Sequence, residues 1–189
     1  MDLLLMHVLP KLHLRPDLCT CRFTMIDLSF TDALMKPEGI ASRIQSGDIE
    51  MEGDKVTGWL DHEAHLRFWV DFHFFIDYVL GQYEEYKPAW TDVDFIFGPI
   101  NIKQYWLMLA TDLERYTIFV FNSMSNYISG DILDGRLKLV ARAMPSMLIS
   151  VGFDIQHETF KYGQWEVKKS KLTLQEGKSL DCGTFVLNL

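Results

Sequence analysis

Near the C-terminal end, Asp181-Cys182-Gly183 opens the apolar run Thr184-Phe185-Val186-Leu187. A thiol attacks as its thiolate, and a free cysteine with a pKa of about 8.5 is only a few per cent ionised at neutral pH. As a nucleophile, Cys182 therefore needs a neighbour that holds negative charge on its sulfur. A helix N-terminus supplies part of that through free backbone N–H groups, and Asp181 has the chemistry of an N-cap. A small buried cysteine opening a core helix is the commoner setting for such a residue. The choice between them rests on what the rest of the chain brings.

Two other groupings have the residue types of metal ligands. Cys19 and Cys21 form a C-x-C pair below His13. A closed zinc site wants four tetrahedral ligands, and no second close pair follows. His62 and His65 stand three apart, on one face if the segment is helical, a spacing that suits a metal. With no third ligand in view they read, with His73, as surface or hydrogen-bonded histidines. No metal and no other cofactor is expected.

The 189 residues fit one domain with a sizeable core, and 48% hydrophobic content with 13% aromatics excludes a disordered chain. A net charge of -8, with 26 acidic against 18 basic residues, lacks the footprint of a nucleic-acid binder. Three cysteines do not make a disulfide framework and favour a reducing, intracellular compartment, nucleus or cytoplasm. The start Leu3-Leu4-Leu5-Met6, flanked by Asp2, His7 and Pro10, is too short for a secretory signal. No apolar run reaches membrane-spanning length, so no membrane partner is expected.

Residues 1–30 alternate irregularly around Pro10 and Pro16, and Gly39 to Gly58 reads as loop. A single helix is predicted from the cap Asp61 to Leu80, with Gly81 as its stop, apolar on more than one face and hence deeply buried. Three strand-like runs follow: Val93 to Ile102, Trp106 to Thr111 and Tyr116 to Phe121, separated by Pro99 and by Asp112-Leu113-Glu114-Arg115. Asp131 to Ser150 predicts a second amphipathic helix, bent or broken at Pro145. Trp165-Glu166-Val167 suggests a further short strand.

Trp59-Leu60-Asp61, then VDFIFGPINIKQYWLMLATDLERYTIFVFNS, then LQEGKSLDCGTFVL together resemble the proteases specific for ubiquitin-like modifiers, the SUMO-protease family related to adenovirus protease. The resemblance covers roughly residues 55–189 and leaves 1–54 as an N-terminal extension, partly loop. It implies an α+β, papain-like cysteine protease fold: a central mixed β-sheet flanked by helices, with the nucleophile cysteine at a helix N-terminus. It also implies a peptidase or isopeptidase acting after the Gly-Gly tail of a ubiquitin-like (SUMO-type) modifier or its conjugate. In the family the nucleophile helix continues and further helices cover the core, so with Leu189 last the domain reads as truncated at its C-terminus.

Carried over residue by residue, the resemblance assigns Cys182 as nucleophile and Trp59 and Trp106 as the two tryptophans enclosing the tunnel for the diglycine tail. The acidic residue expected after Trp59 falls on Asp61 or His62. The family histidine falls on Tyr105 and the family aspartate on Asn122, and their separation, 122 − 105 = 17 residues, keeps the family register. The oxyanion-hole glutamine falls on Glu176 by ungapped counting, or on Gln175 if the loop carries one extra residue. A phenol with an ordinary pKa near 10 neither takes the thiol proton at pH 7 nor offers a cation to the thiolate. Losing a triad histidine costs on the order of 10³ to 10⁶ in turnover, about 4 to 8 kcal/mol. Two readings follow: a protease with strongly impaired activity, or an inactive module or degraded copy that keeps modifier binding. His157 is the one distant substitute base.

Overall fold

The computed structural model describes residues 22–36, 40, 59–83, 88–124 and 127–170. Among them five strands form one mixed sheet in the order β1 (Phe23–Met25), β2 (Phe95–Ile102), β3 (Tyr105–Asp112), β4 (Thr117–Phe121), β5 (Glu166–Lys169). The two central pairings, β2 with β3 and β3 with β4, are antiparallel, and each outer strand runs parallel to its neighbour. The three strands read from β-branched and aromatic runs are present. Their alternation sets the core: Ile96, Ile100, Ile102, Tyr105, Leu107, Leu109, Ile118 and Val120 are buried, while Phe97, Trp106, Met108 and Phe119 are half-buried.

Pro99 does not separate strands; it lies inside β2, paired with Met108. Phe97 C=O accepts from Ile26 N–H, and Pro99 C=O, two residues on and facing the same way, accepts from Thr31 Oγ1 at 2.8 Å. The missing N–H thus points past the end of β1, where no ladder needs it. The break between β2 and β3 is instead the two-residue turn Lys103-Gln104, both left-handed at φ 53 and 67, the geometry a tight hairpin demands. Asn101 Oδ1 accepts from Gln104 N–H across it.

Residues 22–36, where the sequence pattern suggests no element, contribute β1 and α1 (Leu28–Met35). Asp27 caps α1, its carboxylate accepting from Phe30 N–H at 2.9 Å and from the Tyr78 hydroxyl at 2.8 Å. Phe30 and Leu34 are fully buried.

The single helix expected from Asp61 to Leu80 is two. Asp61 does cap, accepting from Ala64 N–H, and α2 spans His62–Val70; α3 follows over His73–Val79, and Gly81, at φ 62, ends it. Phe72 between them leaves helical geometry. The break turns Phe68 and Trp69 of α2 and Phe75, Tyr78 and Val79 of α3 into one core, Phe75 meeting Trp69 at 5.7 Å and Phe30 at 4.9 Å. One straight helix carries its apolar stripe on a single face. Deep burial holds only for that side, since Leu66 (52% exposed) and Val70 (46%) look outward.

α4 runs over Gly130–Ser150 and passes through Pro145 as one helix. Proline leaves the carbonyl four residues earlier without its helical donor. That carbonyl, Ala141 C=O, accepts from Trp165 N–H at 3.0 Å, just before β5, after the short α5 (Phe153–Gln156). Proline here reserves an acceptor for the chain's return to the sheet. Removing an interior proline ordinarily gains about 3 kcal/mol of helix propensity. In Pro145→Ala the new N–H competes with Trp165 for one carbonyl, so a gain below about 1 kcal/mol is expected from urea unfolding. Among the described residues no helix is long and apolar enough to cross a membrane.

Candidate active site

Strand pairing brings Tyr105 and Asn122, onto which the resemblance maps the family histidine and aspartate, together. Continuing the Met108↔Phe121 pairing by one step puts Asn122 opposite Leu107, and Leu107 shares its face of β3 with Tyr105. The Tyr105 hydroxyl donates to Asn122 Oδ1 at 2.9 Å and lies 3.0 Å from Ser123 Oγ. With its one proton on Asn122, the phenol oxygen accepts from the Ser123 hydroxyl. Met124 N–H donates to the same Asn122 Oδ1 at 3.0 Å. Two donors converging on one atom identify it as the amide oxygen. Tyr105 is 2% exposed and its ring packs on Tyr127 at 5.0 Å.

A phenol facing an amide is a neutral pair; neither group is a base at neutral pH. Ser123, which closes the phenol's second hydrogen bond, stood out in the sequence only as the serine following Asn122 at the end of its strand.

Trp59 is buried, its ring 5.5 Å from that of His65. Trp106, paired with Asn101, is half-buried on the strand face opposite to Tyr105. Asp181, Cys182, Gly183, Gln175 and Glu176 lie outside the described residues, as do His13, Cys19 and Cys21. His157 is engaged elsewhere: Nδ1 lies 2.8 Å from Phe153 C=O and the ring stacks on Phe153 at 3.7 Å.

The structure also shows a buried polar network that the spacing of residues could not reveal. His65, 0% exposed, has Nδ1 2.7 Å from Ser146 Oγ of α4, and Trp69 Nε1 donates to that oxygen at 2.8 Å. The Ser146 oxygen accepts from Trp69 and has both a proton and a second lone pair to offer Nδ1, while Nε2 of His65 is buried without a hydrogen-bond partner among the described residues. Burial drives its pKa down to about 4, with His62 adding to the effect and Trp59 C=O, Asp154 and Asp61 opposing it. His62 Nε2 lies 3.1 Å from Asp154 Oδ2, which also accepts from the Tyr162 hydroxyl at 2.8 Å. The two histidines three apart on α2 thus serve different partners.

The family model described as the Ulp1 protease family, C-terminal catalytic domain, matches residues 74–189, well over half of the chain. The chain belongs to this family. The matched span contains Tyr105, Trp106, Asn122, Gln175, Glu176 and Cys182, while Trp59 precedes it. Ulp1-family domains are cysteine proteases, and the α+β architecture seen here is that of the papain-like fold.

Among solved structures, the chain is similar to the SUMO protease Ulp1 with its catalytic cysteine oxidised to a sulfinic acid. The match has 18% identity and a TM-score of 0.38, covering 68% of this chain and 48% of that one. The C-terminal Ulp1 protease domain in complex with Smt3, the yeast ortholog of SUMO, gives 18% and 0.38 over 68% and 47%. The Ulp1-like SUMO protease catalytic domain of Chaetomium thermophilum gives 20% and 0.32 over 52% and 34%. The chain thus spans about half the length, or less, of these structures. No curated protein matches it.

Proposed function

We propose that this Ulp1-family domain engages a ubiquitin-like, SUMO-type modifier through its Gly-Gly tail, with Cys182 as a nucleophile deprived of its general base, so that peptide or isopeptide cleavage is strongly impaired. The observation that supports this reading is the neutral Tyr105–Asn122–Ser123 cluster, two of whose members the resemblance maps onto the family histidine and aspartate. A working imidazole takes the thiol proton, stabilises the thiolate as imidazolium and returns the proton to the leaving amine. The phenol of Tyr105 supports none of these steps. In this reading Trp106 and Trp59 enclose the diglycine tail, and Gln175 or Glu176 stands at the oxyanion. A glutamine there donates to the developing charge; a glutamate opposes it. A reducing compartment, nucleus or cytoplasm, suits a thiol kept free.

A modifier bearing a C-terminal electrophile tests this. The expected result is saturable binding with slow labelling, all of it lost in Cys182→Ser. Labelling as fast as that of a family protease with its histidine in place overturns the impairment. Binding with no labelling at all favours the second reading, an inactive modifier-binding module, which the hydrogen-bonded closure of Tyr105 also suits. Trp106→Ala is expected to weaken modifier binding by about tenfold, the loss of one aromatic contact. Unchanged affinity removes Trp106 from the tunnel.

A further inference from the structure

At the β2–β3 hairpin, a cavity of about 330 Å³ opens between the end of α1, the turn and the first turns of α4. That volume lies at the lower end of small-ligand sites. Three cations line it, one from each element: Lys36, Lys103 and Arg136. In a chain of net charge -8, this is a local reversal of sign. No ion pair holds any of the three among the described residues.

The donors are built in. One guanidinium nitrogen of Arg136 donates to Met35 C=O at 2.8 Å, which fixes the fork and leaves its other N–H groups for a ligand. Asn101 Oδ1 is occupied by Gln104 N–H, so the amide that Asn101 contributes to the cavity has its NH₂ to give. Lys103 is carried on the left-handed turn.

Two further features choose among anions. Met35, Ile102 and Ile132 give the cavity apolar walls, which a bare hydrated anion does not use. Asp32 also lines it, and burial raises its carboxyl against the pull of Lys36. That carboxylate repels any anion alike, but it accepts a backbone N–H, which a peptide carries beside its own carboxylate.

We infer that this cavity binds a short acidic peptide segment: a carboxylate side chain on the Lys36–Lys103–Arg136 cations, its backbone N–H on Asp32 and a neighbouring apolar residue against Ile102 and Ile132. The inference stands whether or not Cys182 is active.

Amide chemical shifts of the full chain, titrated with an acetylated, amidated tripeptide of glutamate flanked by leucines, test it. Saturable shifts are expected at Lys103, Gln104 and Arg136, with affinity at least about fivefold above that of the glutamine analogue. Arg136→Gln and Lys103→Gln should each weaken binding several-fold. Lys103 is exposed on the turn, so its variant keeps the test valid if loss of the Arg136–Met35 bond disturbs the fold. Absence of saturable shifts, equal affinity for the glutamine peptide, or inorganic phosphate binding as tightly as the glutamate peptide would overturn the assignment.

Discussion

A chain carrying Tyr105→His together with Asn122→Asp is expected to cleave a Gly-Gly-linked modifier fusion roughly 10² to 10⁴ times faster than the natural chain, the usual worth of a positioned acid–base group. The geometry favours the pair over either change alone. Asn122 Oδ1 already faces residue 105 and is held there by Met124 N–H, so an aspartate keeps both acceptor contacts. It adds the negative charge that stabilises an imidazolium and selects its tautomer. Tyr105→His alone should gain less, since the amide orients an imidazole without compensating its charge. The Ser123 hydroxyl loses its phenol partner in both variants, a cost of about 1 kcal/mol that the fold should tolerate. Turnover with fusion concentration and a urea midpoint separate chemistry from stability. No gain in a folded double variant would move the defect to the oxyanion position, where Glu176 in place of Gln175 sets negative charge against negative charge.

Lowering the pH from 7 to 4 is expected to remove about 3 kcal/mol of stability through His65. Burial holds its folded-state pKa at about 4, against an ordinary value of 6.5. Between those values the unfolded chain takes up a proton that the folded chain refuses, so stability falls as pH drops through the window and levels off below it. Above pH 7 the residue contributes no slope. Protonation would put charge among Trp59, Trp69 and Ser146, where Trp69 already donates to the one hydroxyl in reach. His65→Gln retains a partner for Ser146 and cannot titrate. Urea midpoints of both proteins at pH 7, 5.5 and 4 should diverge, the natural chain losing more. Parallel curves would mean that His65 is solvated in a way its burial denies. Carboxylates such as Asp94, held low by its hydrogen bonds to Arg22, titrate in both proteins and cancel in the comparison.

The strands that carry the candidate site were legible because each is a run of five to eight residues rich in β-branched and aromatic side chains. The 17-residue spacing from Tyr105 to Asn122 then fell on one face. β1 was not legible, having only three residues to show a period. Nor was α1, whose cap Asp27 follows an irregular stretch. The helix break at Phe72 and the passage of α4 through Pro145 both depend on distant partners, Phe30 for the first and Trp165 for the second. Local propensity sees neither. The same holds for His65, whose partner Ser146 is 81 residues away. Lys103-Gln104 hid a tight turn because neither residue is one that favours the left-handed region.

Whether Cys182 has any group that ionises it is measured directly by the rate of its alkylation against pH. Iodoacetamide reaction at the Cys182 peptide, resolved by mass from Cys19 and Cys21, should rise through an apparent pKa near the ordinary value of about 8.5, and Tyr105→His with Asn122→Asp should move the rise well below neutrality. A natural chain already alkylated at full rate at pH 6 would contradict the account, since some base other than Tyr105 would then be holding the thiolate.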